Sequence, residues 1–147
     1  MGALSLPVPA LEILPHRPPM VFVDELTERY DDIAVASVKL DEEAICFHRT
    51  PAGVEILPEV YVEIIAQTAA LANGYDARCE GKKMKDGMLV GIDSFTVTAV
   101  GNIFDRLVAR VEKVFEFDAL TIIQGRIFHG EELVAEGKIK VWENPEP

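Results

Sequence analysis

The hydrophobic positions after Pro58 recur at helical spacing and predict a helix over residues 58–76. Proline suits the first turn of a helix because its missing N–H would be unpaired there. The helix is expected to end at about residue 76, and Asn73, Gly74 and later Gly81 are candidate stop signals, since Gly and Asn are common at helix C-termini. The positions at helical spacing are Val60, Ile64, Gln67, Thr68, Leu71 and Tyr75, and alanine occupies positions 66, 69, 70 and 72. Because nearly every face is apolar, we expect this helix to be buried almost all round.

Elsewhere the pattern has a period of two, which is typical of half-buried strands. Upstream of the helix it predicts a hairpin formed by residues 21–30 and 33–40, with Asp31-Asp32 as the turn. Downstream it predicts four antiparallel strands, over residues 88–98, 107–117, 120–128 and 133–141. In the second of these four strands, one face is predicted to carry Leu107, Ala109, Val111, Phe115 and Phe117.

The predicted order is two strands, one helix and four antiparallel strands, and we expect residues 1–147 to form a single domain. A long helix without a polar face needs a surface that covers most of it, and a curved antiparallel sheet supplies one. We therefore predict an α+β hotdog fold, in which the curved sheet wraps a long buried central helix. An ordinary two-layer α+β sandwich fits the same order, but its helix should show a polar outer stripe.

Charge and composition exclude several classes of function. The chain has 14 Lys and Arg against 25 Asp and Glu, a formal charge of −11 that would repel a nucleic acid. Its longest uncharged stretch, residues 64–75, is shorter than the roughly 18 residues that a membrane-spanning helix needs. The first residues lack the basic region of a signal peptide, and two distant cysteines fit neither a disulfide framework nor a zinc site. These features lead us to expect a soluble protein of the cytoplasm.

Glu63 and Gln67 are the polar residues that stand out on the predicted helix. They are four positions apart, so they lie on one face, one turn above the other. A carboxylate on a buried helix is costly unless it is paired or has a chemical task. Glu63 is therefore either a solvated or backbone-bonded carboxylate, or an acid whose protonation is adjusted by burial for exchange with a substrate.

Four motifs occur in order between Leu14 and Trp142. They are LPHRPPMVFVDEL (14–26), PEVYVEIIAQTAA (58–70), VGIDSFTV (90–97) and Asp105-Arg106-Leu107. Together they resemble the hotdog-fold 3-hydroxyacyl-acyl-carrier-protein dehydratases, in their N-terminal signature, central helix, following strand and Gly-Asp-x-Leu motif. The resemblance implies a cytoplasmic lyase of fatty-acid or related lipid synthesis. It favours a divergent branch of the family, such as one acting in aryl polyene synthesis.

The same resemblance implies the site residues. Glu63 matches the helix carboxylate of the family, Gln67 matches the glutamine four positions later, and His48 matches the catalytic histidine. In a dehydration, His48 would take the proton from C2 and Glu63 would protonate the leaving 3-hydroxyl, while Gln67 would bind substrate or orient Glu63. The family's Phe-Pro-Gly after the histidine is missing, and Glu59 stands where its helix motif has glycine. Neither a metal nor a redox cofactor is required.

The resemblance also implies an assembly and a substrate. Hotdog sites lie between subunits, so we expect a homodimer or a larger even-numbered oligomer in which His48 of one chain faces Glu63 of the other. The substrate would be an acyl-carrier-protein or coenzyme A thioester. A basic cluster at residues 78–85 would dock its phosphate or the acidic carrier, or would simply complement the helix dipole.

Two other functions fit the same residues. A hotdog thioesterase would use Glu63 to activate water and would not need His48. A non-catalytic acyl-thioester-binding protein would need neither. His16, in the N-terminal motif, is predicted to pin its segment by hydrogen bonds instead of taking part in chemistry.

Overall fold

The fold places one long helix against a large antiparallel sheet. The computed structural model describes residues 5–40, 47–51, 53–98 and 106–144. Within these ranges, helix α1 (Pro58–Cys79) packs on a sheet of seven strands, and a two-stranded hairpin stands separately. None of the helices in this described part is long and apolar enough to cross a membrane.

The large sheet is antiparallel throughout. Its spatial order is β1-β2-β3-β7-β8-β9-β6, which leaves β6 at one edge. The strands of this sheet are β1 (Val8–Pro9), β2 (Val23–Tyr30), β3 (Ile33–Val38), β6 (Gly87–Val97), β7 (Leu107–Phe117), β8 (Leu120–His129) and β9 (Glu132–Glu143). The separate hairpin pairs β4 (Phe47–Thr50) with β5 (Gly53–Ile56), and a short 3₁₀ helix spans Ala10–Glu12.

Each strand predicted from the period of two is present, with bounds shifted by a few residues. The turn at Asp31-Asp32 joins β2 to β3, and Asp31 adopts a φ of 49°, which aspartate tolerates better than most residues. Three elements were not predicted, namely β1, the 3₁₀ helix and the β4–β5 hairpin. All three are only two to four residues long, so no hydrophobic period can be recognised in them.

Helix α1 begins at Pro58 as predicted, but it ends at Cys79 instead of residue 76. Gly74 does not stop the helix, because it serves packing. A Cβ atom at this position would overlap the side chain of Ile13 and lie 2.9 Å from the sulfur of Met84. The helix ends instead where Gly81 takes a φ of 69° and the N–H of Lys82 donates to a carbonyl in the last turn.

The core lies between α1 and the inner face of the sheet. Ile64, Ile65 and Leu71 of the helix are fully buried, and they pack in one cluster with inward-facing residues of the sheet such as Ile127 and Ile139. These strand residues alternate with partly exposed ones, as the period of two requires. The helix packs tightly on the sheet backbone at Gly125, where an added Cβ would lie 2.5 Å from Cδ1 of Ile65.

The prediction that β7 keeps one buried face along its whole length is wrong. Leu107, Ala109 and Val111 are buried, but Phe115 is 50% exposed and Phe117 is 71% exposed. The pairing of β7 with β8 shifts its register between residues 113 and 115. A bulge of this kind re-aims the side chains beyond it, so the sequence pattern continues while the buried face does not.

Candidate active site

One stripe along α1 is less buried than the rest of the helix, and it forms the wall of a groove. The half-buried residues of this stripe are Glu63, Ala66, Ala70 and Asn73. The spacing of three or four positions keeps them on one face of the helix. The groove has a volume of about 780 Å³, and residues 11–17 and 83–89 supply its other walls. The sequence prediction of a helix buried almost all round is thus correct except for this stripe.

Gln67 fastens the N-terminal segment to the helix beside this groove. Its side chain is 1% exposed. Its amide oxygen accepts a hydrogen bond from the N–H of Phe22 at 2.9 Å, and its amide nitrogen donates to the carbonyl of Met20 at 2.8 Å. Two backbone groups that would otherwise be unpaired are therefore satisfied by one side chain.

The same amide nitrogen holds Glu63. Nε2 of Gln67 donates to Oε1 of Glu63 at 3.2 Å, across one turn of the helix. The Glu63 side chain is 39% exposed, so the deep burial assumed from the sequence is not found. Within the described residues, both recorded polar contacts of this carboxyl group involve Oε1, and Oε2 remains available to a molecule in the groove.

The second contact of Oε1 comes from His16. Nε2 of His16 lies 3.9 Å from this oxygen, and the imidazole side chain is 33% exposed. The other ring nitrogen, Nδ1, is buried and has no hydrogen-bond partner. The prediction that His16 pins the N-terminal segment by hydrogen bonds is therefore wrong for its ring. The guanidinium of Arg17 does this work, because its Nη1 donates to the carbonyls of Leu14 and His16.

The predicted third member of the site is not part of this description. His48 lies on β4, opposite Glu55 on β5, but its side chain is outside the described part of the structure. Asp105, from the predicted Gly-Asp-x-Leu motif, is outside the described residues as well. The structure thus brings Gln67 and Glu63 together, adds His16 to them, and leaves the role of His48 as a prediction.

Positive charge collects at the far end of the groove. Arg78, Lys83 and Lys85 line it there, with Asp86 as the opposing charge. Lys82, which the sequence analysis grouped with them, forms an ion pair with Glu80 at 3.3 Å and does not line the groove. Three of the four predicted cations therefore face the same space as the Glu63 carboxyl. Among the described residues, no group of three or more His, Cys, Asp or Glu side chains is arranged to hold a metal ion.

The fold and the groove together define a class of protein. One long helix packed against an antiparallel sheet of seven strands is the hotdog architecture, and solved hotdog structures resemble the chain over most of its length. The dehydratase heterocomplex ApeI:P from Xenorhabdus doucetiae matches with a TM-score of 0.81 at 15% identity, covering 95% of this chain and 93% of that one. These values confirm the predicted hotdog fold.

Two further solved structures share the fold. A hypothetical thioesterase from Streptococcus pneumoniae with coenzyme A has a TM-score of 0.63 at 14% identity, covering 83% of this chain and 86% of that one. A Streptococcus mutans protein bound to acetyl coenzyme A has a TM-score of 0.66 at 10% identity, covering 90% and 95% of the two chains. No sequence among curated proteins matches the chain.

The sequence itself identifies the family. Residues 8–147 match the model of the ApeP-like family, described as ApeP dehydratase. The chain belongs to this family. The match confirms the prediction of a divergent hotdog dehydratase, and it agrees better with a dehydratase-like function than with the thioesterase alternative.

Proposed function

We propose that this chain eliminates water from a 3-hydroxyacyl thioester, with Glu63 as the acid that protonates the leaving hydroxyl. The observation that carries the proposal is the fixed carboxyl group at the wall of the groove. Gln67 holds Oε1, so in this proposal Oε2 is the oxygen that gives its proton to the leaving hydroxyl. A carboxyl whose orientation is fixed before the substrate binds loses less entropy in the transition state.

The base in this proposal is a histidine, His48 of the partner subunit, which takes the proton from C2. Imidazole suits this step because it changes charge near neutral pH. The family resemblance supports His48, as does its place just before α1 on the short β4–β5 hairpin. Elimination then leaves an enoyl thioester and water, with the C2 proton on the imidazole and the proton of Glu63 in the water.

The exposed edge of the sheet supports the proposal of a dimer. Strand β6 is an edge strand, and it exposes Met88, Leu89, Val90 and Ile92 by 39% or more. An apolar edge strand is a template for pairing with another chain. We propose that a second copy of this chain covers it and brings His48 to the groove. Because the similar ApeI:P structure is a heterocomplex, a different hotdog subunit is the alternative partner. A mass measurement on the purified chain distinguishes the two: the mass of a dimer supports pairing with a second copy, and the mass of a monomer supports a different partner.

The basic end of the groove would bind the phosphate of a phosphopantetheine arm. This group is common to acyl-carrier-protein and coenzyme A thioesters, and Arg78, Lys83 and Lys85 line the groove where it would enter. Replacing Lys83 and Lys85 by Glu should raise KM for both thioesters about tenfold by replacing attraction with repulsion. The reversal Lys138→Glu on β9 is the control. A thioester of N-acetylcysteamine, which has no phosphate, should show no change in KM.

The deciding assay follows enoyl absorbance and free thiol together during incubation with crotonyl and 3-hydroxybutyryl thioesters. We expect reversible hydration by the wild type, and a loss on the order of a hundredfold or more in Glu63→Gln and in His48→Ala. Glu59→Gln, an exposed carboxylate one turn earlier on the same helix, is the matched control. Thiol release that needs Glu63 and not His48 would make the chain a thioesterase. Ligand binding without either reaction would make it a binding protein.

A further inference from the structure

The segment that carries His16 is held in place by its neighbours and not by the His16 ring. It follows the 3₁₀ helix, and Nη1 of Arg17 donates to the carbonyl of Leu14 at 2.9 Å and to that of His16 at 2.7 Å. Further along, the amide of Gln67 binds the backbone of residues 20 and 22. The imidazole is therefore presented to the groove by a backbone fixed on both sides.

The buried nitrogen of this ring needs an explanation. A buried polar atom without a hydrogen bond costs about 1–3 kcal/mol, and such atoms are rare in native proteins. Nδ1 of His16 is one, although the residue lines the groove. A role in folding gives no reason to leave this nitrogen unpaired. A role for the other nitrogen, Nε2, gives such a reason, because that role fixes the position of the whole ring.

We propose that His16 is a positioning residue that acts through Glu63; its use in dehydration rests on the function proposed above. Nε2 of His16 and Nε2 of Gln67 approach the same oxygen, Oε1 of Glu63, at 3.9 Å and 3.2 Å. Gln67 already donates to Oε1, and a second donor from His16 at the same oxygen would keep the carboxyl from turning and its proton on Oε2.

The arrangement also assigns the tautomer of His16. Nδ1 has no acceptor within reach, so a proton there would be a buried donor without a partner. The proton therefore sits on Nε2, where it faces the carboxyl oxygen. The present 3.9 Å is longer than a hydrogen bond. Closing by about 1 Å when substrate fills the groove completes the contact, as is usual for sites that tighten on binding.

A spectroscopic test reads this contact without relying on activity. The chain has three histidines, so their ring nitrogen signals can be assigned by single substitutions. We expect Glu63→Gln to move the ring signals of His16 and to leave those of His129, which does not line the groove, in place. Unchanged His16 signals would overturn the proposal.

Kinetics then separate positioning from folding. His16→Ala should lower kcat about tenfold with KM within about twofold, since the contact matters for proton delivery and not for binding. His16→Gln puts an amide N–H near the place of Nε2 and should recover kcat to within about threefold of the wild type. His129→Gln is the control and should behave as the wild type.

Equal kcat in His16→Ala and wild type, or equal losses in the Ala and Gln variants, would overturn the positioning role. Failure of the proposed function looks different. In that case the wild type does not dehydrate its substrates, while the His16 signals still respond to Glu63→Gln and the contact stands.

Discussion

Replacing Gln67 by methionine tests the central contact of the site. Methionine has a similar volume and adapts to its surroundings, so the change adds little cavity energy. It removes the acceptor of the Phe22 N–H and the donor to the Met20 carbonyl, contacts of 2.9 Å and 2.8 Å at a side chain that is 1% exposed. Each backbone group left without a partner costs about 1–3 kcal/mol. Loss of the hydrogen bond to Glu63 adds little to this cost, because the Glu63 side chain is partly exposed.

The expected loss in the free energy of unfolding is therefore about 3 kcal/mol, measured by urea unfolding with the slope m held in common. Asn73→Leu is the matched control on the same helix. Asn73 donates to the Glu143 side chain at 2.8 Å, but both groups are partly exposed and water can replace the bond, so we expect about 1 kcal/mol or less. Equal losses in the two variants, or a loss below about 1 kcal/mol in Gln67→Met, would refute the reasoning.

A second substitution at the same position separates the two backbone contacts. Gln67→Glu keeps an acceptor for the Phe22 N–H, but an ionised carboxylate cannot donate to the Met20 carbonyl. Protonation restores the donor, so the loss of stability in Gln67→Glu should shrink as the pH falls through the range in which glutamate titrates. A loss independent of pH would show that the Met20 contact contributes nothing.

Two further predictions concern packing and a buried phenol. Gly125→Ala should lower the free energy of unfolding by about 1–3 kcal/mol, because its Cβ would lie 2.5 Å from Cδ1 of Ile65. The control is Gly91→Ala, where the nearest atom is 3.6 Å away, and it should cost less than about 0.5 kcal/mol in the same thermal or urea unfolding. A harmless Gly125→Ala would contradict the close packing of the helix on the sheet. Burial raises the pKa of Tyr61 above the ordinary 10.0, so in an alkaline titration the phenolate absorbance that Tyr61→Phe removes should develop above pH 10. The stability contributed by the neutral Tyr61 phenol is complete below pH 10 and is lost as the pH rises through its folded pKa. Tyr61→Phe should remove that loss, and an alkaline loss of stability that is unchanged in Tyr61→Phe would count against it.

Most elements of the fold were predicted from residues close together in the sequence. The prediction failed where the decisive contacts join residues that are distant in sequence. Pro58 marks the start of the helix and Asp31 the hairpin turn, since each acts on its immediate neighbours. Of the candidate stop signals, Gly81 lies where the helix ends, whereas Gly74 is inside the helix because it packs against the side chain of Ile13, which is far away in the chain. The exposure of Phe115 depends on a register shift against β8, which no property of β7 alone reveals.

The candidate site divides in the same way. The four-residue spacing of Glu63 and Gln67 predicted that they lie on one face of the helix, and there they form a hydrogen bond. The hydrogen bonds between Gln67 and the backbone of residues 20 and 22 join positions about 45 apart in the chain. His16 and Glu63 are about equally far apart in the chain. Sequence spacing holds no signal for either. A signal did exist in the N-terminal motif, since His16 belongs to a segment, residues 14–26, that resembles the family.

The groove also fixes a length. Glu63 stands at one end and Arg78 at the other, 15 helical residues apart, which at 1.5 Å per residue is about 22 Å along the axis. A single unbroken helix sets this span, so it does not stretch when a substrate enters. In the proposed binding mode, the chain measures its substrate from the phosphate to the hydroxyl-bearing carbon. Selectivity is then strict for the position of the reacting group relative to the phosphate and lenient for the acyl tail beyond it.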